Sequence, residues 1–268
     1  MTTQKNSHQS ATIDMPPHPL EEDAAGESSE VILPLFIQRL LQAVIVLTLP
    51  VVLVVGSARL VMTEEFLQLE YNRPGFPEDR FGFSTEEREE YGAYGVRYLV
   101  NNEDISYLAD LEIEGGRANF EQGELQHMED VQAVTTVAFQ VLMLCGALLA
   151  AGTILMARKP QTRDRLRRAY QWGGGLTIAL AVVLTLVMFA SWDFFFDTFH
   201  DIFFDPGTWR FNTSDTLIRL YPEQFWFDAS LAVGILALAG SLACILVPWW
   251  WEKRLLNKQT QAENEGEN

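Results

Sequence analysis

The stretch Val134–Tyr170, VTTVAFQVLMLCGALLAAGTILMARKPQTRDRLRRAY, decides which solvent this chain is built for. Its first part, Val134–Met156, carries no charged residue and is close to the ~20 residues a helix needs to cross a hydrocarbon core of about 30 Å. Its second part, Arg158–Tyr170, holds six basic residues against one acid, Asp164. An apolar run followed at once by a basic cluster reads as a membrane span ending on the cytoplasmic side.

Three more windows share the apolar pattern: Leu40–Met62, Leu176–Trp192 and Phe225–Val247. The third span in chain order is short and follows Gly173–Gly175, so it extends back to Trp172. The first begins behind an acidic leader and is too long for the apolar part of a cleaved signal, so it reads as an uncleaved span. The segments between spans are strongly polar, which brings the mean hydropathy of the whole chain down to +0.03.

Four spans and two basic segments fix an expected topology. The second basic segment is the tail, with Lys253, Arg254 and Lys258. Both termini are then cytoplasmic, and the active face points outward. The expected fold is a mainly α membrane protein, a four-transmembrane-helix bundle with a small extracytoplasmic domain between spans 1 and 2. Residues 1–34 form an acidic leader expected to be disordered, because it has little apolar surface to bury. Span 1 covers 35–62, the outer domain 63–130, span 2 131–157, the basic loop 158–171, and span 3 172–192. A second outer loop covers 193–224, span 4 225–248, and the cytoplasmic tail 249–268. The pattern makes the chain a multi-pass membrane protein.

Charge follows the same plan. The outer domain has 18 acids and 5 arginines, and the outer loop has 6 acids and 2 arginines. These segments match in size the whole net charge of −17, which excludes nucleic acid as a partner. Cys145 and Cys244 fall inside spans, where they act as small apolar side chains. No internal repeat suggests a transporter made of duplicated halves.

Within the outer domain, Ser84 and Glu87 have capping-box spacing at the head of STEEREEYGAYGVRYLV. Ile105–Ile113 is compatible with a short strand or a helical turn, and Gly115–Gly116 ends it. From about Gly123 the chain is expected to run as one helix into span 2.

Of four histidines, His8 and His18 lie in the leader and read as solvated. His127 stands just before span 2 and His200 shortly after span 3, so the topology sets both at one membrane depth. In GELQHMEDV, Asp130 is about one helical turn from His127, and Glu124 shares its stripe. In the second motif, Asp197 and Asp201 flank His200 among Phe194, Phe195, Phe196, Phe199, Phe203, Phe204 and Trp209. Rings gather at bilayer interfaces for amphipathic reasons alone. Asp205-Pro206-Gly207 reads as a turn back toward span 4.

These groups suit two chemistries. Glu124-x-x-His127 has the spacing of bundle metal sites, with His200 and Asp201 or Asp197 able to add ligands. Alternatively, two imidazoles serve as general acid and base for a substrate in the outer leaflet. The spacing occurs once and no His-Glu-x-x-His helix is present, so the acid and base reading leads, with no metal and no cofactor. No G-x-S-x-G frame surrounds Ser191, so covalent catalysis is not indicated. Asp228, near the outer end of span 4, either lies simply at the interface or takes a partner at that depth; Arg59 and Arg210 are candidate partners or phosphate contacts. The competing view is a non-enzymatic membrane protein whose outer domain binds lipid or a partner protein.

The order FGFSTEER, ELQHMEDV, FHDIFF, GTWRF and LIRLYPEQFW resembles the bacterial four-span membrane family that includes the lipoprotein intramolecular transacylase. The likeness runs from span 1 to span 4 and omits both tails. It implies an enzyme that moves the sn-2 acyl chain of a diacylglyceryl lipoprotein onto the α-amino group of the modified cysteine. The resemblance makes His127 and His200 the essential residues. Glu124, Asp130, Asp201, Trp209, Arg210 and Asp228 are then supporting residues. His127 is the expected base, oriented by Asp130 or Glu124, and His200 the polarising partner. Membrane lipid is the other expected partner, and the acidic leader is not part of the family pattern.

Overall fold

The computed structural model describes residues 1–2, 33–113, 117–118 and 120–266. The leader with His8 and His18, and the Gly115–Gly116 stop, lie outside the described residues.

Four helices carry the apolar runs: α1 (Leu35–Val61), α5 (Gln122–Ala157), α6 (Arg163–Ala190) and α9 (Glu223–Gly266). All four are long and apolar enough to cross a membrane. Between α1 and α5 come α2 (Glu64–Tyr71), α3 (Thr85–Asn101) and α4 (Ser106–Ala109), then a two-residue antiparallel ladder of β1 (Glu112–Ile113) and β2 (Arg117–Ala118). Ile105–Ile113 thus contains both a helical turn and the start of a strand. Between α6 and α9 lie α7 (Trp192–Phe203) and α8 (Thr216–Leu220).

The spans pack through small residues, since lipid tails offer helices no hydrophobic reason to associate. A β-carbon on Gly173 of α6 would meet Leu49 of α1 at 3.0 Å, and one on Gly174 would meet Ile245 of α9 at 2.9 Å. The glycine run before the third apolar window is therefore a packing face inside one helix. The basic segment 158–171 is mostly helical for the same reason: α6 begins at Arg163 and its first turns stand beyond the apolar part. Likewise α9 continues past the fourth span to Gly266. Side chains such as Met143, Leu144, Leu184 and Leu186 point outward, as lipid-facing surface requires.

α5 has 36 residues, about 54 Å at 1.5 Å per residue, well over the hydrocarbon thickness. Its first turns, through Asp130, precede its apolar part and help form a cap on that end of the bundle. The expected capping box is present on α3: the Ser84 hydroxyl accepts from the Glu87 amide while the Glu87 carboxylate accepts from the Ser84 amide.

The cap has its own core, with Leu67, Tyr71, Tyr98, Leu108, Leu125, Met128 and Leu220 among its members. Two tyrosines tie it to the second loop. Tyr71 donates to the Leu220 carbonyl at 2.6 Å, and Tyr221 donates to the Gly92 carbonyl at 2.5 Å. Gly95 makes room: a β-carbon there would lie 2.4 Å from the Tyr221 hydroxyl. Asp79 takes Arg219 at 2.8 Å and the Phe83 amide at 2.7 Å. Burial alone would raise the Asp79 carboxyl, but the Arg219 and backbone donors bring it below the usual range.

Asp228 finds its partner in this cap. Arg73 bonds Asp228 and also Glu70, the latter at 3.1 Å, and Gln224 donates to Asp228 at 2.8 Å. Neither Arg59 nor Arg210 fills that role. Arg59 bonds the Met62 carbonyl and lies over Phe139, while Arg210 pairs with Asp197. Asp228 therefore fastens α9 to the cap.

Candidate active site

The second loop begins with a break. Ser191 has extended backbone dihedrals, and its hydroxyl accepts from the Phe194 amide, ending α6 and starting α7 in a new direction. Phe, Trp and Ile alternate with acids in WDFFFDTFHDIF so that α7 is strongly two-faced, yet none of its residues is buried. It resembles a helix lying in an interface. After it, Thr208 donates to the Asp205 carbonyl at 3.2 Å and Gly207 takes φ +90°, a turn that needs glycine at that position. This turn brings Trp209 back against α7.

His127 on α5 and His200 on α7 meet at this point. Their rings are 6.3 Å apart between centroids and inclined by 26°. Residues 73 positions apart in sequence thus share one site, as their common membrane depth suggested. Phe204 packs on His127 at 4.9 Å and Phe211 at 5.5 Å. His200 lies between Phe196 at 4.0 Å and Trp209 at 4.7 Å, with Phe199 at 5.5 Å. The Arg210 guanidinium stacks on Trp209 at 4.6 Å and bonds Asp197 at 2.9 Å.

Hydrogen bonding distinguishes the imidazoles. His200 Nδ1 is 2.8 Å from the Phe196 carbonyl. A carbonyl only accepts, so Nδ1 carries the proton and Nε2 keeps its lone pair in the neutral ring. His127 Nδ1 is buried and has no hydrogen-bond partner among the described residues, and neither has Trp209 Nε1.

Burial lowers both rings' affinity for protons. His127 is pushed down to about 4, first by burial and then by the nearby His200, against a weaker opposing pull from Asp130. His200 is also lowered by burial, although the Phe196 carbonyl, Asp197 and Asp201 act the other way. At neutral pH both are uncharged, so the site offers lone pairs and N–H donors rather than cations.

The supporting residues divide. Trp209 and Arg210 belong to the box, and Asp201 is exposed on α7 beside His200. Asp130 acts on His127 through its charge. Glu124 is engaged by backbone: its carboxylate accepts from the Glu121 amide at 2.7 Å and from the Leu217 amide at 2.5 Å. It docks the second loop onto α5, and the sequence spacing alone gave no sign of an acceptor role 93 residues distant. Phe211 and the Phe196 carbonyl also escaped residue-pattern reasoning, because a backbone acceptor carries no sequence signal.

Two imidazoles in an aromatic box at one end of a four-span bundle give this membrane-integral fold a pair of groups able to exchange protons. The chain belongs to the lipoprotein intramolecular transacylase (Lit) family, whose sequence profile matches residues 43–226. It is accordingly an intramolecular transacylase acting on lipoprotein. An uncharacterised protein of Aquifex aeolicus strain VF5 is 31% identical over 200 residues, covering 75% of this chain and 89% of that one. Among solved structures, the Lit transacylase of Bacillus cereus is similar with a TM-score of 0.63 at 17% identity, covering 84% of this chain and 99% of that one. A variant of the same enzyme with one histidine replaced by arginine gives 0.66 at 18% identity, covering 83% and 95%. At that identity the likeness concerns the fold.

Proposed function

We propose that this protein moves the sn-2 acyl chain of a diacylglyceryl lipoprotein onto the α-amino group of the same N-terminal cysteine, leaving a lyso-form lipoprotein. Family membership supports the lipoprotein substrate. The pairing of His127 with His200 at 6.3 Å carries the site assignment. The basic segments at the opposite end of the bundle support an outward-facing site with both termini inside.

Transfer within one molecule needs orientation, a proton acceptor and stabilisation of the tetrahedral oxygen. Nε2 of His200 is suited to accept the proton, because the Phe196 carbonyl holds Nδ1 as the donor side. His127, with the lower proton affinity, suits a neutral N–H donor to the carbonyl oxygen, the reverse of the assignment expected from sequence. The aromatic wall provides apolar surface for acyl chains, and membrane lipid surrounds the rest.

In the reaction, the amine nitrogen bonds the ester carbonyl carbon while the carbonyl π pair moves to oxygen. The new ammonium gives its proton to His200 Nε2. Collapse re-forms the carbonyl, breaks the bond to the sn-2 oxygen and returns that proton to the leaving oxygen, with no net change at the histidine. The test is mass spectrometry of lipoproteins from cells making this protein as their only candidate transacylase. Loss of the free α-amino group with an N-acyl, lyso product is expected; unchanged diacylglyceryl lipoprotein would sink the reading.

A further inference from the structure

We propose that Trp209 is a catalytic residue whose indole N–H donates to the sn-2 ester carbonyl oxygen and to the oxyanion it becomes; this rests on the acyl-transfer reading above. Trp209 is only 6% exposed, yet its Nε1 has no hydrogen-bond partner among the described residues. A buried donor without an acceptor costs free energy, and such groups persist where a ligand supplies the missing atom. The other unpartnered nitrogen in this box is Nδ1 of His127. Trp209 Nε1 is a donor in any state and His127 Nδ1 is one in the tautomer protonated there, and an oxygen gaining negative charge is the group that two such donors fit.

The ring is also held in place. Gly207 at φ +90° turns the chain so that the indole meets His200 at 4.7 Å and Phe196 at 6.1 Å. On its face lies the Arg210 guanidinium, itself fixed by Asp197 at 2.9 Å. Trp209 lies outside the cap core, which keeps its own contacts without it. The wall beside it is α7, none of whose residues is buried.

In the transfer, the donor forms and breaks no covalent bond. As the amine attacks, the carbonyl π pair moves onto oxygen, where the N–H bond to Trp209 strengthens. As the sn-2 carbon–oxygen bond breaks, the pair returns and the bond relaxes. The proton lost by the ammonium travels through His200 to the leaving oxygen and never through the indole.

The experiment uses the full chain in lipid nanodiscs with a dipalmitoylglyceryl-cysteinyl peptide. Trp209 is replaced by 3-benzothienylalanine, which keeps the ring's shape and swaps N–H for sulfur; Trp209→Phe is the conventional companion. Expected is a drop in kcat of about 10²–10³-fold with KM near the parent value. Binding of a phosphonate mimic of the tetrahedral intermediate falls by a similar factor, and the indole N–H resonance of the unsubstituted protein moves when that phosphonate binds. A benzothienyl variant with kcat within about threefold of the parent, or an indole resonance unmoved by phosphonate, overturns the assignment. A parent protein that transfers no acyl chain while its indole resonance still responds would instead count against the acyl-transfer reading.

Discussion

The cap and the histidine box sit side by side at one end of the bundle, yet they treat polar atoms in opposite ways. In the cap, most buried polar groups have partners: Tyr71 bonds Leu220, Tyr221 bonds Gly92, Glu124 takes two amides, and Asp79 takes Arg219, while Arg88 Nε has none among the described residues and its guanidinium stacks on Tyr71 and Phe76 instead. In the box, Nδ1 of His127 and Nε1 of Trp209 are buried with none among the described residues. The cap converts its polar groups into fixed geometry, whereas the box keeps donors and lone pairs for a substrate. A rigid frame thus lies next to a site with unsatisfied polar atoms, and Glu124, one turn before His127 on α5, joins the two by holding the Leu217 amide.

The sharpest way to test that division is to remove a polar group from each side. His200→Ala should lower the rate of acyl transfer by about 10²–10⁴-fold, the range for loss of a positioned base, while the melting temperature changes little. His127→Ala should cost about 10²–10³-fold if it serves as a donor. Comparable loss of folded protein in either variant would place these residues in the frame.

On the cap side the order reverses, with stability lost first. Gly95→Ala forces a β-carbon to within 2.4 Å of the Tyr221 hydroxyl and should destabilise the protein by about 1–3 kcal/mol. Thermal unfolding in nanodiscs would show it; an unshifted transition would mean that the tyrosine clamp is dispensable. Glu124→Ala leaves the amide of Leu217 buried without an acceptor, a cost of about 1–3 kcal/mol. Its activity should fall only as far as the second loop loosens, and less than in His200→Ala.

A pH titration separates the regions more gently. His127 has a folded-state pKa below its unfolded value of about 6.5, so its contribution to stability is complete above that pH. The contribution is lost as pH falls toward about 4, where the buried ring must take a proton. Nitrogen NMR of the imidazoles should find His127 neutral through this window; protonation near pH 6.5 would contradict its burial. The smallest effect is expected from Asp130→Asn. Removing the carboxylate's pull should depress His127 slightly further and change the transfer rate by no more than about threefold, because positioning of the ring comes from Phe204 and Phe211 packing.

Much of this arrangement was legible beforehand because it depends on local sequence. Apolar length marks the spans, Ser84 and Glu87 mark the start of α3, and Asp205-Pro206-Gly207 marks the turn that returns Trp209. The helix expected from about Gly123 begins at Gln122. What could not be read lies in pairings across long separations. Arg73 and Asp228 are 155 residues apart, and Tyr71 and Leu220 are 149 apart. No local pattern distinguishes Arg73 from Arg59 or Arg210 as the partner of Asp228, since all three were compatible with its depth.

The sequence by itself determined the solvent, the number of crossings and the common depth of His127 and His200, because a bilayer imposes length and polarity on every segment that meets it. Only the tertiary structure decided that the two rings face one another, that Glu124 holds the second loop through the Leu217 amide, and that the Phe196 carbonyl fixes the tautomer of His200. Those outcomes depend on how α7 turns away at Ser191 and folds back at Gly207, and on which buried donors are left without partners once the cap has closed.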